Sequence, residues 1–329
     1  MFAAGSASLA NPVSGPEETM RDHNILMPLG QEREDLGSSD MASKREDDRS
    51  AARPTNVTLF RRQADSPAAA VPERRPAPSQ IRARDIFSGA APAIMVNSAR
   101  VWSSLNRIEP DFATMAGNGL FPRADAASPA QRFDLLRTQM LHALAERGWS
   151  RIGVTAPRRG CGASFVAANL ALSFARRPDG RTVLVDLDLR HPALARLFGL
   201  ADVPPLRAYL MDEQPLEAHF LRCGPGLALG PNGRAESDPS AILHGRVCDL
   251  ALDAITIQLE PGVILYDLPP ILEGDEVLAL KPQLDAVILV ADGTSTSPAD
   301  VNACTRLLEG KLPILAAILN RGEDAARTR

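Results

Sequence analysis

Between Arg151 and Leu189 the chain reads RIGVTAPRRGCGASFVAANLALSFARRPDGRTVLVDLDL, and few folds accommodate that order of features. A short apolar run, Ile152 to Thr155, meets a turn containing Gly160 and Gly162. An apolar helical pattern follows, marked by Phe165, Leu170, Leu172 and Phe174 and ended by the Pro178-Asp179-Gly180 turn. A second apolar run, Thr182 to Val185, then ends on Asp186 and Asp188. Strand, glycine-rich loop, helix, strand is the layout of a phosphate-binding βαβ unit, in which backbone N–H groups of the loop and the helix start face an anion. Such loops usually end Gly-Lys-Ser/Thr. Here the run is Gly162-Ala163-Ser164, without the lysine.

The remaining pattern extends that unit into a sheet. Before it, apolar residues at Phe133, Leu136, Met140 and Leu144 predict an amphipathic helix over 130–147, with Ser128 as its cap. After it come a short helix over 192–198, a partly helical stretch over 204–220, a strand over 226–229 and a helix over 241–259. Three more apolar runs follow, at 262–266, 286–291 and 313–319. Strands alternating with helices at this spacing predict an α/β fold with a doubly wound, mostly parallel sheet covered on both faces. Ligands in such sheets sit outside the carboxyl ends of the strands. Residues 1–92, rich in Ala, Pro, Ser, Arg, Asp and Glu, lack sustained apolar periodicity and read as a long disordered tail. Residues 93–129 read as a linker with one short helix around Val101, Leu105 and Ile108, 130–322 as the folded domain and 323–329 as a C-terminal tail.

Composition excludes several classes. A net charge of −4 gives no global attraction to nucleic acid. Aromatic residues at 4% argue against a carbohydrate-stacking surface, and Lys44, Lys281 and Lys311, the lysines of the chain, lie far from the loop in sequence. Cys161, Cys223, Cys248 and Cys304 lack metal-ligand spacing and read as reduced thiols of a cytoplasmic protein. No apolar run approaches the ~20 residues of a membrane span, and no signal peptide is read at the N-terminus.

Three constellations carry the chemistry. The first is the glycine-rich loop, which alone is weak evidence because glycine also serves ordinary turns. The second is Asp186-Leu187-Asp188-Leu189-Arg190-His191-Pro192, since two aspartates beside a phosphate loop can hold Mg²⁺ and its waters. The third is Val263-Ile264-Leu265-Tyr266-Asp267-Leu268-Pro269-Pro270, an apolar strand ending in a carboxylate as in a Walker B strand. Their joint order specifies a fold of P-loop NTPase type. His191 reads as a surface residue, and Glu273, Asp275 and Glu276 as a solvated charged loop.

The run Asp186 to Pro192, the Asp267-Leu268-Pro269-Pro270 box, Leu319-Asn320-Arg321 and the lead-in Phe133-Asp134-Leu135-Leu136-Arg137-Thr138 together resemble the cytoplasmic domain of the bacterial tyrosine kinases. These are capsular and exopolysaccharide synthesis ATPases, a branch of the group that includes the chromosome-partitioning ATPases. The resemblance covers about Gln131 to Arg321. It implies ATP or ADP with Mg²⁺ as cofactors. Gly160, Cys161, Gly162 and Ala163 would line the phosphates, Ser164 would bind the metal through its hydroxyl, and Asp188 and Asp267 would organise it. Asp186 would be the base for an acceptor hydroxyl, and Asn320 would lie near the adenine. It also implies exopolysaccharide synthesis and export, and a membrane-spanning chain-length regulator on a separate chain as partner. That partner would recruit a cytoplasmic protein to the inner face of the plasma membrane, with no nucleic acid involved.

The sequence departs from that pattern in three places. Ala163 stands where the family keeps the lysine that bridges the β- and γ-phosphates. Losing such a cation is worth several kcal/mol of barrier, by analogy with ~3–4 kcal/mol for one oxyanion donor. Arg158, where partitioning-type ATPases keep a second lysine, and Arg159 flank the loop as candidate catalytic substitutes. No tyrosine cluster occurs at 322–329. In the lead-in helix, the family's Glu-x-x-Arg-x-x-Arg ring-assembly motif is represented by Gln131, Asp134 and Arg137, so the form of any homo-oligomer stays open. The expected function is an exopolysaccharide or capsule regulator with a catalytically degenerate site. The alternatives are an active ATPase or tyrosine kinase using Arg158 or Arg159, and a nucleotide-free structural adaptor.

Overall fold

The computed structural model describes residues 96–123, 129–178 and 180–322. The expected tails at 1–92 and 323–329, the Ser128 cap and Asp179 of the expected turn lie outside the described residues. The elements in chain order are α1 (Ser98–Ser104), β1 (Asn106–Ile108), α2 (Phe112–Gly117), α3 (Ala130–Arg147), β2 (Arg151–Thr155), α4 (Ala163–Ala175) and β3 (Thr182–Asp186). There follow α5 (Leu194–Leu197), α6 (Arg207–Leu210), α7 (Leu216–His219), β4 (Leu221–Cys223), β5 (Leu227–Gly230), α8 (Pro239–Leu243) and α9 (Arg246–Leu259). The chain closes with β6 (Val263–Asp267), α10 (Glu276–Ala279), β7 (Ala286–Asp292), α11 (Pro298–Leu308) and β8 (Ile314–Asn320).

One sheet holds all eight strands, in the order β1-β4-β5-β3-β6-β2-β7-β8. From β5 to β8 every pairing is parallel, and β4 runs antiparallel to β5. The reason the strands read as unbroken apolar runs is visible in the packing. Along β3, Val183 and Val185 face one core, whereas Leu184 faces the other. In β6, Ile264 and Tyr266 join the first core and Val263 and Leu265 the second. A strand covered on both faces has no solvent side to mark with polar residues. The first core lies under α1 and α9; the second lies under α3 and α4.

Helix α3 buries Phe133, Leu136, Met140 and Leu144 and stops at Gly148, whose φ of 66° is the left-handed C-terminal conformation glycine adopts without strain. In the lead-in motif, Asp134 accepts hydrogen bonds from Arg137, Arg176 and the Ser173 hydroxyl. Arg137, the charge kept from the ring-assembly pattern, is thus tied within the domain. Arg151, at the start of β2, is buried and donates to Asp253, Thr256 and Gln283, which locks the central strand to α9.

Three stretches differ from the sequence expectation. The stretch read as a linker contributes α1, α2 and the edge strand β1, so the sheet begins at Asn106 rather than within 130–322. Its helix ends at Ser104, and Ile108 belongs to β1, which pairs with β4. The helix expected over 241–259 is two, because Gly245 is extended at φ −76°, ψ 134° and restarts the chain as α9.

Helix α11 starts with a reciprocal capping box: the Ser297 hydroxyl accepts from Asp300 N, and the Asp300 carboxylate accepts from Ser297 N. Ser297→Ala is expected to lower stability by about 1 kcal/mol in urea denaturation, with no change in denaturant slope.

Candidate functional site

The parallel register brings the chemistry to one edge. Asp186 and Asp267 are direct partners at the carboxyl ends of β3 and β6, and Val154 of β2 pairs with Asp267 on the other side. Asp292 and Asn320 pair at the ends of β7 and β8 on the same edge. The loop from β2 to α4 therefore rises beside all of them.

Two glycines shape that loop. Gly160 and Gly162 have φ of 87° and 94°, the left-handed region that side chains with a Cβ avoid. Gly162 also faces Asn320 so closely that an added Cβ would lie 2.2 Å from its Nδ2. Asn320, buried, donates from that nitrogen to the carbonyl of Cys161 at 3.0 Å. Its amide thus grips the loop backbone. Helix α4 then begins at Ala163 with no side-chain cap, leaving its start open toward an anion. Cys161 is buried, with Sγ 3.5 Å from the Thr296 hydroxyl.

The carboxylates differ sharply in their surroundings. Asp186 is wholly buried; its Oδ2 accepts from the N–H groups of Ala193 and Leu194, each at 3.0 Å. Its Oδ1 has no hydrogen-bond partner among the described residues. Burial, offset by those two N–H groups, pushes this carboxyl up to about 8. Asp267 is also wholly buried, and neither of its oxygens has a hydrogen-bond partner among the described residues. Burial drives it well above the carboxylate range and the neighbouring Asp186 adds to that. The Ser164 hydroxyl draws it down from nearby, though outside hydrogen-bond geometry. Asp188 is satisfied: Oδ1 accepts from His191 N at 3.0 Å, and Oδ2 from the Arg159 guanidinium at 3.1 Å.

The two loop arginines diverge. Arg158 turns outward to Asp300 at 3.0 Å, with 64% of its side chain exposed. Arg159 turns inward to Asp188, and its backbone N–H donates to Glu273 at 2.8 Å. Among the described residues no three His, Cys, Asp or Glu side chains form a ready metal cage. Mg²⁺ does not require one, because it keeps several waters and takes one or two carboxylates plus phosphate oxygens. The orphaned Asp267 oxygens beside Ser164 fit that demand.

Some site residues were not read from sequence. Arg321, at φ 55°, places its guanidinium on Asp292 at 2.7 Å and on the carbonyl of Gly160. Asp292 could have been found, since β7 is another apolar run ending in aspartate. Glu276, expected in a solvated loop, is buried and pairs with Arg190 at 3.3 Å. His191 is exposed, as expected. Both tyrosines of the chain, Tyr209 and Tyr266, are buried, and Tyr209 donates to the carbonyl of Ala251 at 2.6 Å.

The sheet order, the loop and the aspartates at the strand ends define an α/β domain of P-loop NTPase type. No protein-family model matches the chain. EpsB of Ralstonia nicotianae, named as a tyrosine-protein kinase, is 32% identical over 157 residues, 47% of this chain and 20% of that protein. The tyrosine-protein kinase YwqD of Bacillus subtilis is 25% identical over 194 residues, 58% of this chain and 80% of that protein. Among solved structures, the VpsO kinase domain superposes with a TM-score of 0.52 at 27% identity, covering 58% of this chain and 95% of that one. The chain is thus similar over part of its length to proteins named as bacterial tyrosine-protein kinases, and its match spans about a fifth of the length of EpsB. Among the described residues no helix is long and apolar enough to cross a membrane.

Proposed function

We propose that this chain is a regulator of exopolysaccharide or capsular polysaccharide synthesis and export, built on a kinase-type nucleotide domain. In this reading it binds Mg-ADP or Mg-ATP weakly and turns ATP over slowly or not at all. The observation that carries the proposal is the contrast at the loop. Ala163 offers no cation where α4 begins, yet Asp267 waits buried and unpartnered beside Ser164. A site kept for a metal–phosphate group but short of one charge binds better than it catalyses, because phosphoryl transfer depends on charge stabilisation.

The residue roles follow from position. N–H groups of Gly160, Cys161, Gly162 and Ala163 would face the phosphates. Ser164, Asp267 and Asp188 would hold Mg²⁺, directly or through water, and Asn320 would fix the loop beneath the nucleotide. When bound, the metal supplies positive charge to the phosphate oxygens. Asp186, with its Oδ1 unpartnered, would serve as base for an acceptor hydroxyl only once it has lost the proton that burial makes it keep. Because both tyrosines are buried, a phosphorylated residue would belong to another protein. A membrane-spanning chain-length regulator is the partner this reading requires, and it would hold the protein at the inner face of the membrane.

The test pairs binding with turnover. Mg-ADP is expected to raise the melting temperature of the full chain, while steady ATP hydrolysis stays near background. Turnover that disappears in Asp186→Ala would instead establish the active-enzyme reading. No response to nucleotide in any variant would leave a structural adaptor.

A further inference from the structure

We propose that Arg159 supplies the positive charge missing at Ala163, exchanging its contact with Asp188 for the terminal phosphate of a bound nucleotide. The inference rests on the nucleotide reading above and names the residue on which that reading depends.

The charged side chains around the loop are held in different ways. Among the described residues, Lys281 lies in the turn before β7 and Lys311 just before β8, both at the amino edge of the sheet and away from the loop. The cations at the carboxyl edge are arginines. Arg190 is held by the buried Glu276. Arg158 leans outward onto Asp300. Arg321 grips Asp292 and the carbonyl of Gly160.

Arg159 alone among these contacts an aspartate of the run that follows β3. Its Nη1 lies 3.1 Å from Asp188 Oδ2, and its charge draws down the carboxyl of Asp267. Its position is held from behind, where its own N–H donates to Glu273 and its Nε lies 3.9 Å from the same carboxylate. The side chain is 40% exposed, free enough to swing. A planar guanidinium binds phosphate through two parallel N–H groups, which suits this exchange. Asp188 keeps the His191 N–H when Arg159 leaves, so its charge is not stranded.

The experiment titrates Mg-ADP and Mg-AMP into the full chain and its Arg159→Gln, Arg159→Lys and Arg158→Gln variants by calorimetry. A fourth variant combines Ala163→Lys with Arg159→Gln. Arg159→Gln is expected to weaken Mg-ADP about tenfold or more, as loss of a charge-assisted phosphate contact does. Arg158→Gln should cost far less, and Arg159→Lys should recover part of the loss. In the Ala163→Lys background, Arg159→Gln should cost little, because the lysine then provides the charge. Mg-AMP affinity, which lacks the distal phosphate, should hardly move, and a merely structural role would not spare it. Wild-type binding that survives Arg159→Gln overturns this assignment alone. Absence of binding in every variant overturns the nucleotide reading and this assignment with it.

Discussion

Gly162→Ala is expected to unfold the loop's geometry and remove nucleotide binding while lowering stability by about 2–4 kcal/mol. Two costs combine at this one position. The backbone sits at φ 94°, where a Cβ crowds the following carbonyl. The new methyl would also lie 2.2 Å from Asn320 Nδ2 and 3.4 Å from its Cγ. Asn320 cannot retreat cheaply, because it is buried and that same nitrogen holds the Cys161 carbonyl. At Gly160 an added Cβ meets nothing within 4 Å, so Gly160→Ala carries the conformational cost only. Urea denaturation of the two variants should therefore rank Gly162→Ala clearly below Gly160→Ala, with both folding to the same far-ultraviolet spectrum.

The second large effect is a pH dependence. In the chelator-treated protein, Asp186 holds its proton up to about 8, whereas in the unfolded chain it releases it near the ordinary carboxylate value of 3.8. Between those values the folded state binds more protons than the unfolded state. Stability must then fall as pH rises, by about 1.4 kcal/mol per pH unit for each such proton. Asp267 is shifted in the same direction and steepens the trend. Asp186→Asn removes one of these protons from the balance, since an amide oxygen can still accept from Ala193 and Leu194 while its nitrogen fills the unpartnered side. The variant should match wild type near pH 4 and be more stable by several kcal/mol at pH 8. Equal slopes for the two proteins between pH 5 and 8 would place that proton elsewhere.

These costs explain which parts of the molecule could be read from the amino acids. Strands β2, β3, β6 and β7 are continuous apolar runs because both their faces are buried, and a run ending in aspartate marked two of the three carboxylates that close such strands. Asp292 ends β7 in the same way, but no loop motif stands beside it in sequence to mark it. The edge strands β1 and β4 are three residues each and contain Arg107 and Arg222, so nothing in their pattern separates them from a loop. Helix α2 is six residues and depends on the Asp111 cap rather than on periodicity. At the site, residue types were legible but pairings were not. That Arg159 turns in to Asp188 while Arg158 turns out to Asp300 depends on the path of the loop, which two left-handed glycines set. Glu276 looked solvated among its acidic neighbours, yet it is covered and paired with Arg190.

The decisive measurement is calorimetry of Mg-ADP binding to the full chain beside its Ala163→Lys variant. The wild type is expected to bind weakly but saturably, and the restored lysine to strengthen binding about tenfold or more. Asp267→Asn should abolish binding in both backgrounds. Binding by neither protein would overturn the proposed function, and so would wild-type affinity that the added lysine leaves unchanged.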